Sequence, residues 1–458
     1  MIEPALVLDA LPAHLPAHIV RQRWSGAQDR PIADVAVRWH EVVREGDPLL
    51  LWLLVEARYE DGGRDDFQLL LGARSAESPP DFLHGKDREI VAILGPDAPG
   101  VVVYDGLVDP ELTVDLLRLT DPTVETVTRR PIVLEHSNSS IVFDEQRILK
   151  VFRKVHAGSN PDVEITRRLA EHGFEHVVPP LAELRREDRD LAVLREYLVG
   201  ATEGWDLARG SVRDVLASGL LPEESGADFA HDAERLGEVL AHLHLALAEV
   251  YGAEPGDAAR WTADMAANLD RALRAEVDAD LPPAQRIPAD AVRAHLATTA
   301  ALADPGQAIH IHGDLHLAQV IQTDAGWKVL DFEGEPARER EERHTTSSPL
   351  RDVAGMLRSL HYVAAVGLEE WGDAGPELAE LVAAWERRNR DAFLAGYHSV
   401  AGLDALLPAD RADRLALQTA FELDKAVYEV LYELGHRPEL VTIPLAGIRR
   451  LLDAEAAP

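Results

Sequence analysis

The apolar pattern of this chain changes period near residue 205, and that change limits the folds open to it. Before it, apolar runs are short and bounded by turn residues. Pro48–Tyr59 (PLLLWLLVEARY) and Asp66–Ala73 (DFQLLLGA) flank the turn cluster Glu60-Asp61-Gly62-Gly63, which predicts a hairpin. Val35–Val43, Gly100–Tyr104, Arg147–Phe152 and Leu191–Leu198 read as further strands, and Ile132 opens another that leads into the loop before Arg147. A short helix precedes them, another is expected over Asp109–Leu119, and a third from Asn160-Pro161-Asp162 to Gly173. Beyond residue 205 the spacing is helical over Ala227–Tyr251, Ala259–Ala279, Asp290–Ala303, Leu350–Val366, Pro376–Tyr397 and Arg411–Leu434. One strand pair, Ile309–Ile311 with Lys328–Phe332, is expected to interrupt these helices.

Composition narrows the function classes. The chain has 458 residues and a formal net charge of −34, which argues against a phosphate-backbone binder or an anionic-membrane binder. Cysteine is absent, so disulfides, thiolate metal sites and cysteine nucleophiles are excluded together. Only five residues are lysine, which leaves few candidates for any lysine role. The opening segment carries Glu3 and Asp9 and lacks a basic start with an apolar core, so no secretory signal is expected. The longest apolar run, near Leu49–Val55, is far short of the ~20 residues of a membrane helix. The expectation is a cytoplasmic mixed α/β protein with no nucleic-acid or membrane partner.

The stretch Ile309–Glu335 (IHIHGDLHLAQVIQTDAGWKVLDFEGE) carries the chemistry. Asp314 and Gln319 are five apart on a polar loop, and Asp331 ends the strand that follows. The spacing resembles a kinase catalytic loop beside a strand ending Asp-Phe-Gly. There a carboxylate accepts the proton of an attacking hydroxyl, while an amide oxygen and a second carboxylate hold a hard cation such as Mg²⁺. Asp314 is the candidate base, and Gln319 and Asp331 are the candidate metal ligands. A competing reading takes His310, His312 and His316 as zinc ligands, but the loop acids are hard oxygen donors.

Such chemistry makes demands upstream. Lys150 lies mid-strand in RILKVF, where an ammonium reaches nucleotide phosphates, and Glu164 on the next helix is its expected partner. Lys154 falls past the strand end and reads as solvated. The turn Ser137, Asn138, Ser139, Ser140 lacks glycine, so its hydroxyls and backbone N–H groups are expected to cradle phosphate. The strand LREYL should join two lobes, with adenine bonding to backbone near Glu196 and Leu198. On the helix near the C-terminus Lys425, Tyr428, Glu429 and Tyr432 share one side, where donors, acceptors and aromatic faces suit a sugar. A plain surface helix with a Lys–Glu pair and two half-buried tyrosines accounts for the same pattern.

HGDLHLAQV, VLDFEGEPA, SPLRDVAGMLRSLHY, EHSNSSIVF, ILKVFRKVHAGSNPDVE, GWDLA and ELDKAVYEVLYE resemble bacterial, actinobacterial maltokinases, within the aminoglycoside-phosphotransferase-like and protein-kinase-like superfamily. The resemblance runs from QRW near residue 22 to IPL near 443. It implies an α+β, bilobal protein-kinase-like fold: a β-rich cap over residues 1–92, an intermediate and nucleotide-binding lobe over 93–200, and a helical lobe over 201–458 with the catalytic loop and sugar site. It implies ATP- and Mg²⁺-dependent phosphorylation of maltose at the anomeric hydroxyl, giving maltose 1-phosphate for α-glucan (glycogen) synthesis, with a functional link to a trehalose synthase. It also implies acceptor contacts at His316, Tyr362, Lys425, Glu429 and Arg437. Another small acceptor on the same fold, such as glucosamine or an aminoglycoside, is the alternative.

Overall fold

The computed structural model describes residues 1–27, 30–76, 80–95, 100–124, 129–132, 138–334, 346–372 and 375–456. The chain forms two compact units. One comprises Met1–Arg167 with Pro179–Val199, the other Arg168–Val178 with Gly200–Pro458.

The first unit opens with α1 (Pro4–Arg21), longer than the short helix expected. Pro12 and Pro16 lie inside it, each at a cost of about 3 kcal/mol in an isolated helix. The buried stripe Val7, Leu11, Leu15, Ile19 outweighs that cost through its packing on a sheet. That sheet contains β1 (Ile32–Arg44), β2 (Leu49–Tyr59), β3 (Arg64–Ala76), β4 (Ile90–Leu94) and β5 (Gly100–Asp105), in the order β1-β2-β3-β5-β4. A helix, α2 (Leu112–Thr120), follows. The second sheet contains β6 (Arg129–Ile132), β7 (Asn138–Phe143) and β8 (Arg147–Phe152). After it β9 (Lys154–Val155) crosses to pair with β3, and α3 (Pro161–Glu171) follows. β10 (Ala182–Arg186) and β11 (Arg189–Glu196) complete the second sheet, in the order β10-β11-β8-β7-β6.

The continuous apolar run of β2 follows from burial on both faces. Leu49, Leu51, Leu53 and Val55 pack with α1, whereas Leu50 and Trp52 join Leu149, Val151 and Leu191 of the second sheet. Two buried polar side chains join the layers. The Gln68 amide accepts from Trp52 Nε1 at 3.0 Å and donates to the carbonyls of Phe152 and Leu191. Arg153 donates to Ser139 Oγ at 2.7 Å and to Asp105 at 2.5 Å.

Two expectations are corrected here. Asn138, Ser139 and Ser140 are not a turn: they open β7, with Ser140 opposite Lys150 on β8. Strand alternation turns Ser139 inward, where Arg153 engages its hydroxyl. Ser137 lies outside the described residues. Lys154 is not merely solvated, since it lies on β9 and pairs with Asp65 at 2.6 Å.

The second unit is built on α4 (Gly204–Ser218), α5 (Ala230–Tyr251), α6 (Ala258–Asp278), α7 (Ala289–Ala300), α8 (Leu350–Trp371), α9 (Pro376–Ser399), α10 (Arg411–His436) and α11 (Thr442–Ala456). Its short strands are β12 (Thr202–Glu203), β13 (Ala253–Pro255), β14 (Gln307–Ile309), β15 (Val320–Thr323) and β16 (Gly326–Val329). The two strand runs expected to pair with each other do not. β14 pairs with β13, and β16 pairs with β15 across Asp324-Ala325. A two-residue loop closes that hairpin locally, and the segment after β14 leaves the ladder to form the polar loop. Among the described residues no helix is long and apolar enough to cross a membrane.

Arg153 and Asp105 are each 2% exposed. Arg153→Met should therefore leave Asp105 buried without its cation and destabilise the first unit by about 3–5 kcal/mol. Urea denaturation followed by tryptophan fluorescence measures the loss.

Candidate active site

The polar loop after β14 is held by a buried acid. Asp352, in the first turn of α8, accepts the His312 amide on Oδ2 at 2.8 Å and the Gly313 amide on Oδ1 at 2.9 Å. His244 of α5 donates to Oδ2 at 3.2 Å, and its other ring nitrogen accepts from the buried Tyr397 hydroxyl at 2.9 Å. Burial opposes the charge on Asp352, but His244, His312 and the Gly313 amide hold its carboxyl below the usual carboxylate range. Gly313 has φ +84°, a backbone state that favours glycine. One turn along α8, a Cβ on Gly355 would stand 2.4 Å from the Leu315 carbonyl oxygen, so only glycine lets the helix approach this closely. Ser359 Oγ accepts the Leu317 amide at 3.0 Å.

His312 links this loop to the segment after β16. Its Nδ1 accepts from the Asp314 amide at 3.3 Å and its Nε2 donates to the Leu330 carbonyl at 2.8 Å. Both ring nitrogens are engaged, so His312 does not serve the zinc reading. The Leu330 amide donates to the Gln319 carbonyl at 2.9 Å. Gln319 Nε2 lies 3.4 Å from Asp331 Oδ2, which directs the amide oxygen of Gln319 elsewhere. Asp331 has φ +62°, an uncommon conformation that aspartate tolerates and that concentrates at functional sites.

Asp314 Oδ1 accepts from Lys425 Nζ at 3.1 Å, so the first expected acceptor contact is joined to the candidate base. His316 Nε2 is 4.0 Å from Asp314 Oδ2, while Nδ1 accepts from the Ala318 amide at 3.3 Å. Burial lowers the His316 pKa, which favours the neutral ring. Gly313, Asp314, Leu315, Asp424, Lys425 and Tyr428 line a recess of about 360 Å³ that includes open solvent.

The remaining acceptor candidates belong to ion-pair networks. Glu429 receives Arg358 Nη2 at 2.5 Å. Tyr362 donates its hydroxyl to Glu433 at 2.5 Å, and Arg437 pairs with Glu433 at 2.7 Å. Tyr428, Tyr432 and His436 stack in succession along α10.

In the first unit, Lys150 Nζ lies 3.2 Å from Asp162 Oδ2. Asp162 is fully buried and also accepts from Arg195 at 2.8 Å. Burial pushes its carboxyl up, but Arg195 and Lys150 hold it far below the usual range. Asp162, two residues before Glu164, is thus an acid on which Lys150 rests that the sequence reading did not single out. Its position in the first turn after Asn160-Pro161 was the available signal. Glu196 ends β11, exposed, and Leu198 lies just beyond it, partly buried. Asp352 and Arg358 were also missed, because their partners are distant in sequence, and Glu433 was missed although Arg437 lies only four residues on.

Residues 128–334 match the model of the phosphotransferase enzyme family, and residues 18–109 match the maltokinase N-terminal cap domain. A glucosamine kinase of Streptacidiphilus jiangxiensis is 30% identical over 335 residues, covering 70% of this chain and 73% of the relative. The chain belongs to the phosphotransferase enzyme family. It is a kinase of that family with a maltokinase-type cap. A glucosamine kinase of Mycolicibacterium smegmatis is 27% identical over 333 residues, covering 71% of this chain and 79% of that one. A solved glucosamine kinase with glucosamine, ADP and inorganic phosphate shares the fold at TM-score 0.64 and 23% identity, covering 97% of this chain and 98% of the other.

Asp352→Asn puts an amide donor where one carboxylate oxygen accepts a backbone N–H, that of His312 on Oδ2 or that of Gly313 on Oδ1. An unpartnered buried donor costs about 1–3 kcal/mol, so turnover should fall about ten- to a hundred-fold. Coupled ADP-release kinetics on folded variant measure this drop.

Proposed function

We propose that this kinase transfers the γ-phosphoryl group of ATP to the anomeric hydroxyl of maltose, forming maltose 1-phosphate and ADP. The observation that carries the reading is the Asp314 carboxylate on a braced loop, 3.1 Å from Lys425, with Gln319 and Asp331 adjoining each other on the segments that follow. Asp314 takes the proton of the acceptor hydroxyl as its oxygen attacks phosphorus, and the bond from phosphorus to the ADP oxygen breaks. Lys425 orients the carboxylate.

The donor set of Gln319 and Asp331 is hard oxygen, which fits Mg²⁺. When bound, the ion would neutralise phosphate charge. Lys150, set by Asp162 and with Glu164 on the same helix, is assigned to the phosphates, and Asn138 and Ser140 to the strand beside them. Glu196 and Leu198 are assigned to adenine. His316, Tyr362, Glu429 and Arg437 are assigned with Lys425 to the acceptor.

Two observations support a neutral acceptor: the cap matches the maltokinase type, and an ammonium group already stands beside the base. Glucosamine is the second reading, favoured by the names of the two relatives above.

An acceptor screen with ATP, read as ADP release and followed by locating the phosphate on the product, tests the choice. Maltose should be the best acceptor. A wide preference for glucosamine would decide for the second reading.

Asp314→Asn should retain nucleotide binding and lose about 10²–10⁴ in turnover. Asp331→Ala should weaken Mg²⁺-dependent ATP binding more than Gln319→Ala, because only the carboxylate carries charge. Magnesium titrations with both variants compare them, and the reverse order would redraw the metal roles.

A further inference from the structure

Among the described residues, Glu386 of α9 and Glu422, Glu429 and Glu433 of α10 are buried or half-buried carboxylates paired with arginines. Glu422 pairs with Arg390 at 2.9 Å, Glu386 with Arg450 at 2.5 Å, Glu433 with Arg437 at 2.7 Å, and Glu429 with Arg358 at 2.5 Å. The last differs in polarity from the others. In the Glu433 pair the acid is inside, 2% exposed, and the cation outside, 46% exposed. In the Glu429 pair the cation is inside, 1% exposed, and the acid is the outer group. Glu429 stands one helical turn from Lys425, on the same side of α10.

Arg358 is also incompletely satisfied. Its Nη1 is buried without a hydrogen-bond partner among the described residues. A Cβ on Gly447 of α11 would stand 2.2 Å from that nitrogen, so a glycine makes the space the guanidinium occupies. Replacing a buried ion pair with apolar groups is often neutral or stabilising. An underbonded cation beneath a carboxylate therefore needs a reason other than stability. Its effect on charge supplies one. With Arg358 below Glu429, Lys425 on Asp314 and Arg437 on Glu433, each of these three acids already carries a paired cation, so this face offers hydroxyl acceptors whose charge is balanced.

We propose that Arg358 is a positioning residue that sets acceptor class: it neutralises Glu429 from within, so that this carboxylate receives a sugar hydroxyl and does not hold an ammonium group. The inference rests on the reading that Glu429 contacts the acceptor. The discriminating quantity is the ratio of kcat/KM for maltose to kcat/KM for glucosamine, which a general loss of stability does not move.

Arg358→Gln should lower that ratio about ten-fold or more, while Arg358→Lys, which keeps the charge, should stay within about three-fold of wild type. Gly447→Ala crowds the guanidinium without altering any charge and should shift the ratio in the direction of Arg358→Gln. If neither variant folds, Glu429→Gln decides: it exposes the acceptor to an unbalanced guanidinium, and the ratio should rise by about ten-fold. A folded Arg358→Gln or Glu429→Gln protein with an unchanged ratio would overturn the proposal while leaving the kinase reading intact. A wild-type protein inactive on both sugars would instead refute the acceptor reading, and this inference with it.

Discussion

The Asp352 carboxylate is the fixed point of the helical unit. It takes two successive amides of the loop that carries Asp314, and it is itself held by His244 and, behind that, Tyr397. A loop of this kind cannot satisfy its own backbone. Its N–H groups point into the protein, where water is excluded, and only a charged acceptor delivered by a rigid helix answers both at once. The same helix then adds Gly355 against Leu315 and Ser359 against Leu317, so successive turns of α8 index successive residues of the loop.

From that bracing the rest of the site follows by short links. His312, fixed in orientation by two hydrogen bonds, carries the position of the loop across to the end of β16. Gln319 and Asp331 meet there because the hairpin between them is closed by only two residues. α8 also reaches the proposed acceptor contacts, through the pairing of Arg358 with Glu429. One helix therefore supports both the carboxylate proposed as the base and the groups proposed to choose its substrate.

The sequence made some of this legible and hid the remainder for definite reasons. Asp314, Gln319 and Asp331 stood out because the motif they resemble keeps them close in the chain, and the local hairpin brings Gln319 and Asp331 together in space. The stripe of α10 was legible for the same reason, since i, i+4 spacing is a property of one helix. Ser139 was misread because nothing local says that a serine after a polar stretch begins a strand; the inward turn becomes visible only with Arg153 in place. The length of α1 was hidden by its prolines, whose local penalty is overridden by a sheet formed later in the chain. Asp352 and Arg358 were invisible for a related reason: a buried charge is recognised by its partner, and each partner lies on a different element.

The double-sided burial of β2 bears on how such proteins diversify. Because alternate residues of one strand serve two cores, a change in the first sheet is felt by the second, and the reverse also holds. Gln68 makes this coupling specific, since its amide reads the backbone of two strands in the neighbouring layer. A chimera that exchanged only the first hundred residues with a relative would divide both cores. The smallest transferable module extends through β11, and recombination within it should produce far fewer folded proteins than recombination at its end.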